Sequence, residues 1–224
     1  MNMDTVLIVG GSSGLGFALA KQLAANADVH ITGRRDPKSP GLTFHHLELT
    51  DSNIAVELDA LVTTIGSVDL VIYAAGFLQQ ARLAELSDTD IDDMLKVGVT
   101  APAKLLRRIL THQANLPGLI AITSTSQWTP RRIEPIYTAS KAGLAMLANS
   151  LSLDESVQKV LVAGPSGMQT RFWEHDPRDT SMMLEPDWVA EQILQLWQDD
   201  YQYCFAKILR EPARVEVIER RSNE

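Results

Sequence analysis

Short apolar runs alternate with amphipathic segments along most of this chain. The runs are continuous, as in residues 6–9, which is typical of strands covered on both faces of a sheet. The predicted strands are residues 6–9, 29–32, 42–49, 68–73, 119–123, 160–163 and 203–209. Segments with helical spacing lie between them, at residues 15–25, from 51 or 52 to 65, 87–112, 136–153 and 186–198. This order predicts an α/β fold built on a parallel sheet with helices on both faces.

The organisation of the chain predicts a single domain over residues 1–224. No internal repeat, low-complexity tract or Gly/Ser-rich linker interrupts the alternation. The helix predicted over 87–112 contains Gly98 and Pro102, which disfavour a regular helix in its middle. The charged segment from about Pro212 onwards is predicted to be an arm or a frayed helix.

The composition excludes several classes of function. The chain has 224 residues, with 20 Lys plus Arg and 28 Asp plus Glu, and a formal charge of −8. An acidic chain repels phosphate groups overall, so we expect neither nucleic acid nor a membrane surface as a partner. The single cysteine excludes an internal disulfide framework, and the five histidines show no metal-ligand spacing, so no metal is expected. The first residues lack the pattern of a targeting segment, which predicts a cytoplasmic protein.

A glycine-rich loop follows the first predicted strand and leads into a helix. Its sequence is Gly10-Gly11-Ser12-Ser13-Gly14-Leu15-Gly16. Glycines at such a turn let the backbone approach a pyrophosphate, and the free N–H groups of the helix start attract its charge. The spacing differs from the G-x-G-x-x-G fingerprint, and a tight strand-to-helix connection would also use glycines. Because this is the first turn of an α/β alternation, the loop is predicted to bind a dinucleotide through Gly10, Ser12, Ser13, Gly14, Leu15 and Gly16.

The residues after the second predicted strand bear on the choice of cofactor. An acidic side chain about 20 residues after the glycines would bind the ribose 2′-hydroxyl of NAD. Gly33 stands at that place, and Arg34 and Arg35 follow it. A guanidinium group can bind a 2′-phosphate through charge-assisted hydrogen bonds. The pattern therefore favours NADP (NADPH) over NAD, the alternative being a solvated loop with two surface arginines.

A phenol and an amine lie four residues apart on a predicted helix. Tyr137 and Lys141 share one helix face, and Ser124 comes directly after the fifth predicted strand. A free phenol has a pKa of about 10, and a nearby ammonium group lowers it toward the range useful for acid–base chemistry. Ligands of such sheets bind outside the carboxyl ends of the strands, where Ser124 is placed. Each residue alone is compatible with ordinary packing, but together with the glycine loop the three indicate a catalytic site.

The chain resembles a classical short-chain dehydrogenase/reductase over roughly residues 4–195. The resemblance is carried by the glycine spacing of the loop, by the segment from Tyr137 to Lys141, and by Ser124 upstream of it. It implies a Rossmann-type doubly wound parallel sheet of about seven strands, and hydride transfer between a nicotinamide and a carbonyl or alcohol carbon. It also implies that Tyr137 is the general acid/base, that Lys141 lowers its pKa and holds the nicotinamide ribose, and that Ser124 orients the substrate oxygen.

The same resemblance implies further cofactor contacts and a lid. The contacts are Ala75 and Gly76 beside the adenosine ribose, Glu48 and Leu49 at the adenine, and Pro165 and Thr170 beside the nicotinamide. Residues from about 166 to 186 correspond to a short lid over the substrate. Aromatic and methionine side chains in this segment suggest an apolar, adaptable pocket, or else lid packing and subunit contacts.

Four residues depart from the family pattern. Tyr73 and Ala74 stand in place of asparagines, and Ser166 stands in place of glycine. Gly98 replaces an asparagine that holds a water of the proton relay in the family. These departures motivate an alternative function, a non-catalytic NADP(H)-binding sensor or scaffold, whereas the retained Ser–Tyr–Lys set favours an enzyme.

The leading interpretation is an NADPH-preferring oxidoreductase acting on small or medium carbonyl compounds or alcohols. Epimerisation or dehydration ranks behind it, because the short chain leaves little room for an extra substrate domain. The resemblance also implies a homodimer or homotetramer, assembled through the helices that contain residues 98–110 and 136–153. The apolar residues of these helices would form either that subunit face or a stripe facing the sheet; they are Leu105, Leu106, Ile109, Leu144, Leu147 and Leu151.

Overall fold

Strands and helices alternate along the computed structural model, which describes residues 3–174 and 179–222. The strands are β1 Thr5–Val9, β2 Asp28–Gly33, β3 Leu42–His46, β4 Leu70–Tyr73, β5 Gly118–Ile122, β6 Val160–Pro165, β7 Tyr203–Arg210 and β8 Ala213–Arg221. The α-helices are α1 Gly14–Leu23, α2 Ile54–Ile65, α3 Asp88–Leu95, α4 Ala101–Gln113, α5 Pro135–Leu151 and α6 Pro186–Gln198. Short 3₁₀ turns cover Leu83–Glu85, Thr125–Gln127 and Arg171–Trp173, and a π-helical turn covers Lys96–Thr100.

The strands form one sheet in the order β3-β2-β1-β4-β5-β6-β7-β8. Strands β1 to β7 pair in parallel, and β8 pairs antiparallel with β7. The strand order reverses between β1 and β4, which opens a crevice at the carboxyl ends of these two strands. The fold is therefore the predicted α/β, Rossmann-type arrangement with a mostly parallel sheet.

Separate apolar clusters attach helices to the two faces of the sheet. α1 and α6 cover one face through side chains that include Leu19 and Ile193. α2, α4 and α5 cover the other face. The sequence predicts that six apolar residues of α4 and α5 form either a subunit face or a stripe facing the sheet. Four of them are buried in this second cluster: Leu105, Leu106, Ile109 and Leu144. These four side chains therefore belong to the stripe that faces the sheet.

The C-terminal segment is an edge strand, so the predicted arm or frayed helix from about Pro212 is wrong. β8 pairs with β7 along its whole length. Val215 packs against the apolar cluster on the α1 and α6 face. The Arg221 guanidinium donates hydrogen bonds to Asn149 of α5 and to Ser152, the residue after this helix, on the other face. An edge strand needs few apolar residues, which is why the composition of this segment resembles that of a tail.

Several element ends differ by one to three residues from their predicted positions, and two of them have a clear physical reason. α2 begins after Asn53, so the predicted start at Asp51 or Ser52 is wrong. Asp51 Oδ1 instead accepts a 2.6 Å hydrogen bond from the backbone N–H of Asn53, in the turn before the helix. The extended segment predicted to reach residue 49 ends at His46. Both differences lie where side-chain hydrogen bonds or sheet pairing, which the apolar pattern does not record, decide the boundary.

The described residues also limit the kinds of site that this fold carries. Cys204 is buried in β7. Within residues 3–174 and 179–222, no group of three His, Cys, Asp or Glu side chains is placed to hold a metal ion. In the same ranges, no helix combines the length and the apolar character needed to cross a bilayer.

Candidate functional site

The glycine-rich loop lies between β1 and α1, at the crevice of the sheet. Gly10 and Gly14 have φ angles of +81° and +55°, a region that side chains rarely adopt. A Cβ atom at Gly10 would lie 2.7 Å from the backbone nitrogen of Ala75, and one at Gly16 would overlap the carbonyl oxygen of Gly10. Ser13 precedes α1 in an extended conformation, so the free N–H groups of the first helical turn belong to this loop. The loop is thus a close-packed backbone cradle.

Ser12 fills the space beside Gly33 at the end of β2. A Cβ atom at Gly33 would lie 2.6 Å from Ser12 Cβ and would overlap the Ser12 hydroxyl oxygen. An acidic side chain therefore cannot replace Gly33 unless Ser12 moves. Arg34 and Arg35 follow with exposed side chains, and Arg34 Nε lies 4.0 Å from Glu48 Oε2. This corner of the site presents two guanidinium groups, one of them beside a carboxylate.

Tyr73 ties the end of β4 to the π-helical turn. It replaces an asparagine of the family pattern, is fully buried, and donates a 2.6 Å hydrogen bond from its hydroxyl to the Val97 carbonyl. Val97 lies in the π-helical turn, whose irregular hydrogen bonding leaves backbone groups in need of partners. Ala75 and Gly76 follow β4, and a Cβ atom at Gly76 would lie 3.4 Å from Lys141 Nζ. The end of β4 therefore separates the glycine loop from the lysine.

Gly98 packs against α5 without room for a side chain. A Cβ atom at Gly98 would lie 2.6 Å from Ser140 Cβ and 2.8 Å from Ser140 Oγ. The Ser140 side chain is itself fixed, because its hydroxyl is buried and donates a 2.8 Å hydrogen bond to the Tyr137 carbonyl. The asparagine of the family pattern cannot stand here while Ser140 keeps its position. The departure at Gly98 thus has a packing reason.

We expect Gly98→Asn to lower the free energy of unfolding by about 2 kcal/mol or more, because it overpacks a buried contact. The double variant Gly98→Asn/Ser140→Gly lacks the clashing side-chain atoms of Ser140. Its loss of unfolding free energy should therefore be smaller than the sum of the losses in Gly98→Asn and Ser140→Gly. Urea denaturation of the four proteins measures this coupling. Additive losses would show that Ser140 does not cause the clash.

Ser124, Tyr137 and Lys141 meet where β5 ends and α5 begins. Tyr137 is buried, and its phenol is hydrogen-bonded with the Ser124 hydroxyl. Lys141 is 3% exposed, and its Nζ lies 5.8 Å from the centroid of the Tyr137 ring. Lys141 Nζ donates to the carbonyl oxygens of Ile122 at 3.1 Å and Ala75 at 3.5 Å. The three residues predicted from the sequence are therefore brought together.

Burial dominates the electrostatics of this cluster. It lowers the pKa of Lys141 from 10.5 to about 8. It raises the pKa of Tyr137 above its ordinary value; the Ser124 hydrogen bond opposes this increase, and the Glu134 carboxylate adds to it. The direction is opposite to the lowering by Lys141 that the resemblance implies, because the cost of desolvating the phenolate outweighs the other contributions. At neutral pH, the Tyr137 phenol is protonated.

Phe172 closes the site on the side of β6. β6 ends at the buried Pro165, and Thr170 Oγ1 accepts a 3.3 Å hydrogen bond from the backbone N–H of Phe172. The Phe172 ring lies 6.1 Å from the Tyr137 ring, centroid to centroid. A Cβ atom at Gly14 would lie 3.4 Å from Thr170 Cγ2. Thr170 therefore links the glycine loop to the aromatic side of the site.

The predicted lid, residues 166–186, is described except for residues 175–178, which lie outside the described ranges. Its two ends are paired, because the Leu184 nitrogen donates to the Gly167 carbonyl at 3.1 Å and the Gln169 nitrogen to the Leu184 carbonyl at 2.9 Å. A cleft of about 660 Å³ lies between this segment, α1 and the start of α6. The cleft borders the glycine loop and is not lined by Tyr137.

The sequence analysis did not identify Glu134. Its carboxylate accepts hydrogen bonds from Gln80 Nε2 at 2.6 Å and from Ser126 Oγ at 3.4 Å. Glu134 stands three residues before Tyr137 but two residues before the predicted helix start at Ile136, so helix spacing does not mark it as part of the site. The loops that supply Gln80 and Ser126 show no sequence pattern that would place them beside it.

Comparisons with known proteins agree with this architecture. Residues 4–180 match the short chain dehydrogenase family. The chain is 28% identical over 217 residues to the short chain dehydrogenase helC of Aspergillus fumigatus, covering 86% of this chain and 82% of that protein. The fold is similar to that of a short chain dehydrogenase/reductase family protein, with a TM-score of 0.80, 20% identity, and coverage of 93% of this chain and 97% of that one. It is also similar to the short-chain dehydrogenase from Sphingobium yanoikuyae in complex with NADPH, with a TM-score of 0.79, 20% identity, and coverage of 92% and 87%. Because the family match spans most of the chain, this protein belongs to the short-chain dehydrogenase/reductase family of NAD(P)-dependent oxidoreductases.

Proposed function

We propose that this protein is an NADP(H)-preferring oxidoreductase that interconverts a carbonyl and an alcohol in small or medium substrates. The meeting of the Ser124 hydroxyl, the Tyr137 phenol and the buried Lys141 ammonium carries this proposal. Two hydroxyl groups aimed at one place can bind a carbonyl oxygen, and one of them can donate a proton to it. Lys141 supplies positive charge within the same cluster.

The residues present fit a dinucleotide cofactor. At Gly10 and Gly16, the backbone occupies the space that a Cβ would need, so this loop admits close approach of a pyrophosphate. The residues proposed to hold the cofactor are Gly10, Ser12, Ser13, Gly14, Leu15, Gly16, Arg34, Arg35, Glu48, Leu49, Ala75, Gly76, Tyr137, Lys141, Pro165 and Thr170. When bound, NADP(H) would supply or accept the hydride.

In the reduction direction, the residues of the chain act on the substrate oxygen. Ser124 donates a hydrogen bond that orients and polarises the carbonyl. Tyr137 donates its proton to the oxygen as negative charge develops there, and Lys141 stabilises the phenolate that remains. The Tyr137 phenol is protonated in the free protein, as donation of a proton in the reduction direction requires.

The proposed preference for NADP(H) rests on the end of β2. Ser12 occupies the space beside Gly33, where an acidic residue would otherwise reach a ribose 2′-hydroxyl. Arg34 and Arg35 are exposed beside it and free to reorient toward a dianion. The chain as a whole is acidic, so these two side chains form a local exception that suits one small phosphate group.

We expect Arg34→Ala to weaken NADPH binding about 10- to 100-fold, since a charge-assisted hydrogen bond contributes roughly 1.5–3 kcal/mol. NADH binding should change little, because NADH lacks the phosphate. Calorimetric titration with both cofactors measures the two affinities. Arg107→Ala, an exposed arginine of α4, is the matched control. Tighter binding of NADH than NADPH by the unaltered protein would contradict the proposed preference.

The wider setting of the enzyme is also proposed. We propose one domain over residues 1–224 with a substrate lid at about 166–186, acting in the cytoplasm as a homodimer or homotetramer. Phe172 beside Tyr137 supports an apolar substrate surface under that lid. The acidic net charge supports a small-molecule substrate, with no nucleic acid or membrane partner.

A panel of aldehydes, ketones and alcohols tests the function directly. Oxidation of NADPH, followed by its absorbance, is the expected outcome for a subset of the carbonyl compounds. A non-catalytic sensor of the same fold would bind NADPH and leave it unoxidised across the panel. Local packing accounts for two of the departures that motivate the sensor, those at Tyr73 and Gly98.

A further inference from the structure

The Glu134 carboxylate lies beside the proposed active site. Glu134 is the last residue before α5, and its half-buried side chain points into the space between two loops. Gln80 Nε2 and Ser126 Oγ donate to its two oxygens, at 2.6 Å and 3.4 Å. The Gln80 loop is held there as well, because the Ala81 nitrogen donates to the Ile133 carbonyl at 2.9 Å. The carboxylate is therefore fixed in place.

The carboxylate lies next to the hydroxyl groups proposed to bind the substrate oxygen. Ser126, which contacts Glu134 through its hydroxyl, donates from its backbone N–H to Ser124 Oγ at 3.1 Å. Tyr137 lies in the first turn of α5, three residues after Glu134, and the Glu134 charge contributes to the raised pKa of that phenol. A substrate bound to Ser124 and Tyr137 thus lies within the field of Glu134.

No cation neutralises this carboxylate in the part of the chain that the structure describes. None of the ion pairs formed by those residues includes Glu134. Lys141 donates to backbone carbonyls, Arg131 to Thr125, and Arg171 to Glu174, while Arg132 is exposed and forms no ion pair with Glu134 among the described residues. The partners of Glu134, Gln80 and Ser126, are neutral.

We propose that Glu134 determines substrate specificity by charge, so that the site accepts uncharged or cationic carbonyl compounds and alcohols and rejects carboxylates. The proposal rests on the proposed function and names its substrate class. A fixed, half-buried carboxylate repels a second carboxylate strongly, because the surroundings screen the two charges less than water does. Rejection by an unpaired like charge is a common source of specificity.

The test compares two substrates that differ in charge and by one methyl group, 4-formylbenzoate and its methyl ester. For the unaltered protein, kcat/KM with NADPH should be at least tenfold higher for the ester. In Glu134→Gln, which keeps the shape and loses the charge, this ratio should fall about tenfold. Any effect of the substitution on Tyr137 acts on both substrates and cancels in the ratio. Glu155→Gln, which removes an exposed carboxylate after α5, is the matched control and should leave the ratio unchanged.

A binding measurement supports the kinetic one. Calorimetry on the NADP-loaded protein should show benzamide binding more tightly than benzoate, and Glu134→Gln should close that gap. A ratio and a binding gap that stay within twofold in Glu134→Gln would overturn the proposal. Loss of turnover in Tyr137→Phe alongside that result would leave the proposed function standing. Full turnover in Tyr137→Phe would instead count against the proposed function.

Discussion

Tyr137→Phe is expected to reduce turnover by about 10³-fold and to leave NADPH affinity within about twofold, since general acid catalysis contributes roughly 10²–10⁴ to rate. The substitution removes only the phenol oxygen. The ring, which packs 6.1 Å from that of Phe172, keeps its place. Substrate can still meet Ser124, but no group remains to protonate its oxygen. Steady-state kinetics and calorimetric titration of NADPH check the two halves of this expectation.

Tyr201→Phe is the matched control for that experiment. Tyr201 precedes β7, at the amino ends of the parallel strands and thus away from the site, and its buried hydroxyl has no hydrogen-bond partner among the described residues. Its removal should leave both turnover and cofactor binding unchanged. Wild-type turnover in Tyr137→Phe on a true substrate would show that another group supplies the proton.

Burial of Lys141 is expected to make stability increase with pH above about 8. The pKa is about 8 in the folded protein and 10.5 as the ordinary value. Below pH 8, the ammonium is charged in both states, so folding bears the full cost of burying it. Between pH 8 and 10.5, the unfolded chain binds a proton that the folded protein has released, which favours the folded state as pH rises. The total change corresponds to about 3 kcal/mol.

Lys141→Met isolates this effect. The difference in unfolding free energy, unaltered protein minus variant, should rise by about 3 kcal/mol between pH 7 and pH 10.5, because every other titrating group contributes equally to both proteins. Urea denaturation at several pH values measures it. Lys104→Met, at an exposed position of α4, should show a difference that does not depend on pH. A constant difference for Lys141→Met as well would mean that Lys141 keeps its ordinary pKa in the folded protein.

The core of the fold is readable from the sequence because buried parallel strands are continuous apolar runs. Leu70–Tyr73 and Val160–Pro165 are examples, and helices that cover them show apolar residues at helical spacing. β8 could not be predicted in this way, because an edge strand is stabilised by backbone pairing and by contacts such as that of Arg221 with α5. The π-helical turn could not be predicted either, since Tyr73, which donates a hydrogen bond to it, is distant in sequence.

The candidate site also contains residues that the sequence pattern reveals and residues that it does not. Tyr137, Lys141 and Ser124 are recognisable because helix periodicity and strand ends place them, whatever the rest of the chain does. The residues that surround them are brought together by tertiary packing. Gln80, in a loop, donates a hydrogen bond to Glu134, and Gly98, in the π-helical turn, packs against Ser140 of α5. Neither pairing follows from spacing in the sequence. The sign of the pKa change at Tyr137 depends on the same surroundings, which is why the resemblance implied the opposite direction.

The position of β8 also has a consequence for how the chain avoids aggregation. The seven parallel strands and all six helices precede β8 along the described chain, and β7 has no second neighbour in the sheet until residues 213–221 pair with it. Until then, the β7 edge offers unpaired N–H and C=O groups to any neighbouring chain. β8 covers that edge and places Glu216, Glu219 and Arg220 along the new one, so its pairing ends the exposure of the β7 edge to aggregation.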